Sequence, residues 1–309
     1  MIRKLINKIR RKAAKNIWKK WLPWNFAHYI YWARTNGKEL SWRHPRDINE
    51  KLFWLHRYWQ HPLIVQCADK LGMREYVKRC GLESILTPIY AVYENAEQID
   101  IDKLPNRFVL KCNHGSGFNI ICKNKDTLDL LGTRQLIDQW LHTTIGFDTA
   151  EYHYQYIRPL AYAEEYIGDN NDERLEIQFF CFNGEPRHIL VRNDLGDAAK
   201  QSFAISYDMN WNRVHERVQE DMSIDINMPK NLAMLIDFTK RLAKPFPHVR
   251  VDFYLVGEKV YIGELTFTTH GNILSNYTED TLVKWGNELV LPPKLKNKWH
   301  KEFKSYREQ

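Results

Sequence analysis

Two neighbouring stretches late in the chain place carboxylates and an arginine where they could act together. Residues 249–255 alternate apolar and polar side chains in the pattern of a strand, and residues 260–267 read as its return partner. The polar turn Val256-Gly257-Glu258-Lys259 joins them. Asp252 and Glu264 therefore fall on adjacent strands of one hairpin. Arg250, two residues before Asp252, projects to the same strand face. Two carboxylates that converge on a point repel each other unless a cation lies between them. Mg²⁺ takes oxygen ligands and is commonly held by one or two carboxylates together with substrate phosphates. An arginine beside such a site suits the charge that develops on a transferring phosphoryl group. The competing reading is a solvated hairpin with chance charges, since exposed acids are common.

A second stretch bears on that choice. Residues 108–112 read as a strand that carries Lys111 through an apolar run, Asn113-His114-Gly115-Ser116-Gly117 as a glycine-rich turn, and residues 118–122 as the next strand. Glycine lets backbone N–H groups approach phosphate oxygens closely, and a lysine adds a point charge to the same oxygens. The spacing is neither GxxxxGK[ST] nor GxGxxG. An ordinary tight turn with a solvated lysine is the alternative.

The remaining elements must position these groups. Residues 45–80 read as helices, with Asp47 or Asn49 as a cap, Lys70 and Arg74 one turn apart, and Gly81 as a stop. Strands are expected at 88–93, 160–168, 175–182, 187–192 and 203–207, with Asn183-Gly184 as a hairpin turn. Helices are expected at 131–147, 228–244 and 279–309. The first 21 residues carry Ile2, Leu5, Ile6, Ile9, Ala13, Ile17 and Trp18 at helical spacing among lysines and arginines, with no acid before Glu39. Such a helix could dock on an anionic membrane surface or pack its stripe on its own domain.

The chain has 309 residues, 13% aromatics and a net charge of +7, which fits a globular protein with an anionic partner. Its five cysteines show no CxxC spacing, so neither a zinc site nor a disulfide framework is expected and a reducing compartment fits. No run of apolar residues is long enough to span a bilayer, and the basic N-terminal segment lacks the apolar centre of a signal peptide. No helix-turn-helix, RRM or zinc-finger pattern accompanies the charge, so nucleic-acid binding is not expected.

Taken in order, these stretches resemble the ATP-grasp superfamily, and within it the TupA-like branch of teichuronopeptide and surface-polysaccharide biosynthesis. The closer resemblance rests on Asp47-Ile48-Asn49-Glu50-Lys51-Leu52, Ala68-Asp69-Lys70 with Arg74-Glu75-Tyr76-Val77, residues 109–117, Glu164-Glu165-Tyr166-Ile167, residues 180–186 and Gly263-Glu264-Leu265-Thr266-Phe267. It implies an α+β ATP-grasp fold with nucleotide held between two α+β lobes, preceded by the basic amphipathic helix. The segments implied are 1–44 (basic helix), 45–105 (N-terminal lobe), 106–168 (lid lobe with glycine-rich loop and hinge) and 169–309 (catalytic lobe). It further implies ATP and Mg²⁺ as cofactors. Lys111 would hold phosphates, as would Arg74 or, in its place, Lys70. His114, Gly115, Ser116 and Gly117 would form the covering loop, and Glu164, Glu165, Tyr166 and Ile167 the adenine hinge. Asp252, Glu264 and Thr266 would bind metal, and Arg250 would act with Lys111 at the transferring phosphate. The pattern departs at Thr266, where the superfamily often has Asn, at Gln178, where the branch tends to place a lysine, and at Thr268-Thr269-His270-Gly271-Asn272, where the branch has a Pro-Gly turn.

The implied activity is an ATP-dependent carboxylate–amine ligase that works through an acyl phosphate in capsule or surface-polysaccharide synthesis, with the joining of an amino acid to a uronic acid as one form it could take. Its partners would be an acidic glycan or a lipid-linked sugar precursor, plus an amine. It would sit in the cytoplasm, with contact at the inner membrane face through residues 1–21. Arg187, His188, Arg192 and His270 are candidates for the acceptor pocket. Two rival readings stay open. A glycosyltransferase would be expected to show a Rossmann-like run early in the chain, often with a DxD, and Asp100-Ile101-Asp102 supplies the latter only in a polar stretch. A non-catalytic binding protein on the same scaffold would be consistent with Gln178 and Thr266.

Overall fold

A computed structural model describes Trp32 and residues 39–143, 145, 146, 149, 151–168, 174–193, 203–220 and 224–295. The helix expected over 1–21 lies outside the described residues, as does everything from 296 onward. Three helices come first: α1 (Ile48–Tyr58), α2 (Pro62–Ala68) and α3 (Lys70–Arg79). Each starts where a side chain can accept from an otherwise unpartnered helix N–H. Asp47 accepts from Glu50 N, His61 from Leu63 N with Pro62 next in the chain, and Asp69 from Leu71 N. Gly81 adopts φ 69° just past α3, and Leu82 N donates back to Val77 O at 3.1 Å, closing the helix with a left-handed cap.

A smaller sheet follows, from β1 (Ile89–Tyr93), β2 (Phe108–Cys112), β3 (Asn119–Cys122) and, after helix α4 (Leu130–Leu141), β4 (Ala161–Glu165). It is antiparallel in the order β1-β4-β2-β3. Its back face carries Phe108, Leu110, Cys112, Ala161 and Ala163 into a core with Ile137 of α4. A larger antiparallel sheet is built from β5 (Leu175–Phe182), β6 (Glu185–Asn193), β7 (Ala204–Tyr207), β8 (His248–Val256) and β9 (Lys259–Thr266), in the order β7-β6-β5-β8-β9. Asn183 and Gly184 take φ of 53° and 82°, the pair of positive values that a tight hairpin between right-twisted strands requires.

The back of the larger sheet is wholly apolar. Ile177, Phe179, Val249, Val251 and Phe253 pack there against Val77 of α3 and Leu235 and Leu242 of helix α5 (Leu232–Ala243). Its front face is divided along its length. At one end Phe180, Phe182 and Leu190 join α1 and helix α6 (Glu279–Glu288) through Trp285 and Leu52. At the other end the front-facing residues are charged, and the site lies there.

Three expected helices are shorter in the structure, and the one expected over 131–147 ends at Leu141. The one expected from 228 begins at Leu232, with Pro229 in the preceding turn. The one expected over 279–309 stops at Glu288, and residues 289–295 are not helical, consistent with the restriction that Pro292 and Pro293 place on the residues before them.

Candidate active site

Strand pairing sets the larger sheet's half of the site. Gln178 lies opposite Asp252, Asp252 opposite Glu264, and Arg250 opposite Thr266. The register between β8 and β9 shifts just after Asp252, because Phe253 pairs with Ile262 and leaves Gly263 as an extra residue. This bulge reverses the alternation, so that Glu264 and Thr266 face front while Ile262 joins the core behind. A Cβ on Gly263 would lie 2.9 Å from the Tyr254 ring and 3.2 Å from Asp252 O, so the bulge needs glycine.

The result is a tight cluster. Arg250 Nη2 donates to Asp252 Oδ2 at 2.6 Å, Glu264 Oε1 at 2.9 Å and Thr266 Oγ1 at 3.1 Å, while Nε donates to Asp252 Oδ1 at 2.7 Å. Thr266 Oγ1 in turn donates to Glu264 Oε1 at 2.5 Å. Burial works against the Arg250 charge, but Asp252 and then Glu264 outweigh it and raise the guanidinium's pKa. Burial pushes the Asp252 carboxyl up, with Arg250 pulling the other way. At Glu264 burial again opposes the charge, but Arg250 and Lys70 hold the carboxyl below its ordinary range.

Two carboxylates sharing one guanidinium leave a net negative charge. Three oxygens of this set converge on a single point, held here by Arg250 Nη2. Among the described residues no three acids, histidines or cysteines gather as a self-sufficient metal cage. Two carboxylates and a hydroxyl fit the habit of Mg²⁺, which takes few protein oxygens and completes its shell with water and phosphate. For the cation to enter, the guanidinium must leave that point.

The smaller sheet faces this cluster across a cavity of about 490 Å³, within the range of small-molecule sites. Alternation along β2 and β4 turns Lys111, Tyr162 and Glu164 toward it, opposite the core residues of the same strands. Lys111 Nζ pairs with Glu164 Oε1. Helix α3 adds Lys70 and Arg74. Asp69, the cap of α3, accepts from Asn113 Nδ2 at 2.8 Å, and Lys70 Nζ donates to Gly115 O, so α3 and the glycine-rich turn are locked together. Burial pulls the Lys70 ammonium below its ordinary pKa.

Several residues named from the sequence do not line the cavity, Asp252 among them, which is buried and reaches it only through Arg250. Of the turn, Ser116 and Gly117 line it, whereas the His114 ring is buried behind it against Phe118, with Nε2 3.1 Å from Trp140 O. Gly115, at φ 85°, sits where a Cβ would overlap Ile145. Of the hinge, Glu164 and Ile167 line it. Glu165 N donates to Pro88 O, and the Tyr166 ring lies 4.3 Å beneath the Arg107 guanidinium. Of the four acceptor candidates, Arg192 and His270 line the cavity. Arg187 is exposed, and His188 is buried between Glu216 at 2.9 Å and Glu288 at 2.8 Å, stacked on Trp285, where it holds structure together.

The family model described as TupA-like ATPgrasp matches residues 50–290. The chain belongs to the TupA-like ATP-grasp family. Among solved structures it is similar to an L-amino acid ligase from Bacillus licheniformis, at 13% identity over 68% of this chain and 45% of that one, with a TM-score of 0.45. It is also similar to a D-alanine–D-alanine ligase from Bacillus anthracis, at 18% identity, 65% and 57% coverage and a TM-score of 0.39. An N5-carboxyaminoimidazole synthase from Aspergillus clavatus matches at 11% identity, 75% and 54% coverage and a TM-score of 0.43. The chain thus spans about half the length of these solved proteins. No curated protein sequence matches it.

For this TupA-like ATP-grasp chain, sequence reasoning missed part of the cavity. Glu151, Tyr154, Glu176 and Thr268 line it. Glu176 lies directly opposite Arg192 in the sheet and accepts from Gln178 Nε2 at 2.8 Å. Alternation along β5 puts Glu176 and Gln178 on the same face as Asp252, so these two were within reach of a pattern argument. Glu151 lies in the connection between α4 and β4 and carried no such signal. His270, at φ 49°, has its imidazole drawn down to about 4 by desolvation and then by Arg250, Arg192 and Arg217, so it is neutral at physiological pH.

Proposed function

We propose that this chain is an ATP- and Mg²⁺-dependent carboxylate–amine ligase that works through an acyl phosphate in surface-polysaccharide synthesis, joining an amino acid to a uronic acid. The observation that carries the reading is the meeting in one cavity of Lys111, Lys70 and Arg74 with Arg250, Glu264 and Thr266, to which the buried Asp252 is joined through Arg250. Phosphoryl transfer needs positioning and charge neutralisation more than a nucleophilic side chain, and these residues supply both.

In this reading Lys111 leaves Glu164 for the nucleotide phosphates, and Lys70 and Arg74 hold them from α3. The turn at Ser116 and Gly117 covers them with backbone N–H groups, and residues 164–167 receive the adenine. Asp252, Glu264 and Thr266 would hold Mg²⁺, which when bound neutralises phosphate charge and aligns the transferring group. Arg250, displaced from its carboxylates, would turn to the phosphoryl group as it passes to the acid's carboxylate. Closure of the smaller sheet would keep water from the acyl phosphate. The positively charged chain suits an acidic glycan or a lipid-linked precursor, and residues 1–21 suit an anionic membrane surface. Among the described residues no helix is long and apolar enough to cross a membrane.

The test is ADP formation from ATP and Mg²⁺ in the presence of uronic acids and amino acids, with amide products read by mass spectrometry. ADP and amide forming together, only with both substrates, supports the reading. Transfer from a sugar nucleotide without ATP would replace it with a glycosyltransferase.

A further inference from the structure

The carboxylates that line the cavity or, like Asp252, lie buried beside it differ in what faces them. Glu164 is paired with Lys111, Asp252 and Glu264 share Arg250, and Glu176 lies opposite Arg192 and accepts from Gln178. Glu151 has two hydroxyl donors and, among the described residues, no cation. Thr268 Oγ1 donates to its Oε1 and Thr149 Oγ1 to its Oε2. Each hydroxyl takes one lone pair of one oxygen, so each oxygen keeps acceptor capacity for a group in the cavity. The two hydroxyls also fix the carboxylate's orientation from opposite sides.

Its place is as specific as its chemistry. Thr268 follows Thr266 by two residues, at most about 7 Å along the chain, so its bond to Glu151 ties that carboxylate close to the oxygens that converge on Arg250 Nη2. An ATP-grasp substrate pair brings polyphosphate and a carboxylate into this cavity. A bare carboxylate beside them is repulsive unless a substrate brings a positive charge to it. His270 is exposed and has Arg250, Arg192 and Arg217 near it, whose positive charges disfavour its accepting a proton.

We propose that Glu151 is the residue that binds the nucleophilic substrate as a primary ammonium and accepts a proton from it as it attacks the acyl phosphate. This rests on the ligase reading and adds the residue that holds the amine in its charged form and activates it. The step balances as follows. The ammonium R–NH₃⁺ gives one proton to the Glu151 carboxylate. The freed nitrogen lone pair forms the C–N bond to the acyl carbon. The C–O bond to phosphate breaks, and its electron pair leaves on the phosphate oxygen. A second nitrogen proton goes to that phosphate, which departs as HPO₄²⁻, and the amide retains the third. Glu151 then releases its proton to solvent.

The test compares the full-length wild-type chain with Glu151→Gln and Glu151→Asp, using ATP, Mg²⁺ and a panel of uronic and amino acids as carboxylate donors. One arm supplies hydroxylamine, which is uncharged near neutral pH and traps an acyl phosphate as a hydroxamate without a proton acceptor. The other arm supplies α-amino acids and amino sugars as ammonium nucleophiles. Calorimetric titration with Mg·ATP checks that each variant is folded. The amine-to-hydroxylamine turnover ratio should fall about 100-fold in Glu151→Gln, at the lower bound for loss of a general base, and part of it should return in Glu151→Asp. A ratio that stays within about twofold of wild type overturns the assignment. So does an equal fall in both arms with weaker Mg·ATP binding, the signature of a metal-site residue. Wild-type hydroxamate formation with no amine product in any mixture overturns the ammonium substrate. If the wild-type chain forms no hydroxamate with any acid, the ligase reading itself fails and Glu151 falls with it.

Discussion

Replacing Arg250 with alanine should destabilise the nucleotide-free protein and make Mg²⁺ a stabiliser of it. Arg250 is the counter-charge for both Asp252 and Glu264. The Asp252 side chain is 1% exposed, so without the guanidinium its carboxyl is left without its partner in the sheet and must take up a proton to stay there. The Glu264 side chain is 42% exposed, and water can take over much of the screening there. Breaking a buried pair by removing one partner costs roughly 3–5 kcal/mol, so a single stranded carboxylate puts the expected loss near 3 kcal/mol. At about 2–4 °C per kcal/mol for a chain somewhat shorter than this one, the melting temperature should fall by roughly 6–12 °C. Millimolar Mg²⁺ should return more of that loss in the variant than it adds to the wild type, because in the wild type the cation must first displace the guanidinium. Adding Asp252→Asn to the alanine variant should restore part of the stability, as a double-mutant cycle requires of coupled groups. Thermal unfolding of the four proteins with and without Mg²⁺ measures all of this. An Arg250→Ala protein as stable as wild type, or one indifferent to Mg²⁺, would refute the reasoning.

Other outcomes follow from neighbouring residues. Lys111→Met combined with Glu164→Gln, which avoids stranding the buried glutamate, should weaken ATP binding by about 10- to 100-fold, the worth of a hydrogen bond to a charged group, as read by calorimetry. Gly263→Val should lose roughly 1–3 kcal/mol of stability from overpacking against Tyr254, and Mg²⁺-dependent ATP binding should go with it, because Glu264 depends on the bulge to face the cavity. At His188 burial opposes the charge, but Glu216 and Glu288 outweigh it and raise the imidazole's pKa. Its contribution to stability is therefore fully present below the unfolded value of about 6.5 and is lost as pH rises through the higher native value. His188→Gln should flatten the stability profile across that window in urea titrations.

The sequence made some of this legible because the information is local. Alternation over residues 249–255, broken at a Gly-containing turn, sufficed to place Arg250, Asp252 and Glu264 on one hairpin. The same period-two rule put Lys111 on a face opposite Leu110 and Cys112. The glycine-rich turn was legible as a turn but not in its directions. His114 points behind it and Ser116 into the cavity because α4 and Phe118 are packed underneath, which no local pattern encodes. Alternation along β4 accounts for Glu165 turning away from the side that Glu164 faces, but the strand ends at Glu165, so Tyr166 turning away and Ile167 lining the cavity follow from the path of the loop and not from a period of two. The bulge at Gly263 left a trace in the sequence, since the apolar positions switch there from 260 and 262 to 265 and 267 across a glycine, but reading 260–267 as one uninterrupted strand passed over it. Glu151 was invisible for a stronger reason, since its partner Thr268 lies 117 residues away and neither sits in a periodic element. The order β1-β4-β2-β3 likewise depends on pairings between strands far apart in the chain.

The most direct measurement is calorimetric titration of the chain with ATP in the presence and absence of Mg²⁺, repeated with Asp252→Asn and with Lys111→Ala. Micromolar, Mg²⁺-dependent binding that weakens in both variants is the result expected if Lys111 and the Asp252–Glu264 pair grip one nucleotide from opposite sheets. No binding at millimolar ATP, or binding indifferent to both substitutions, would contradict the account.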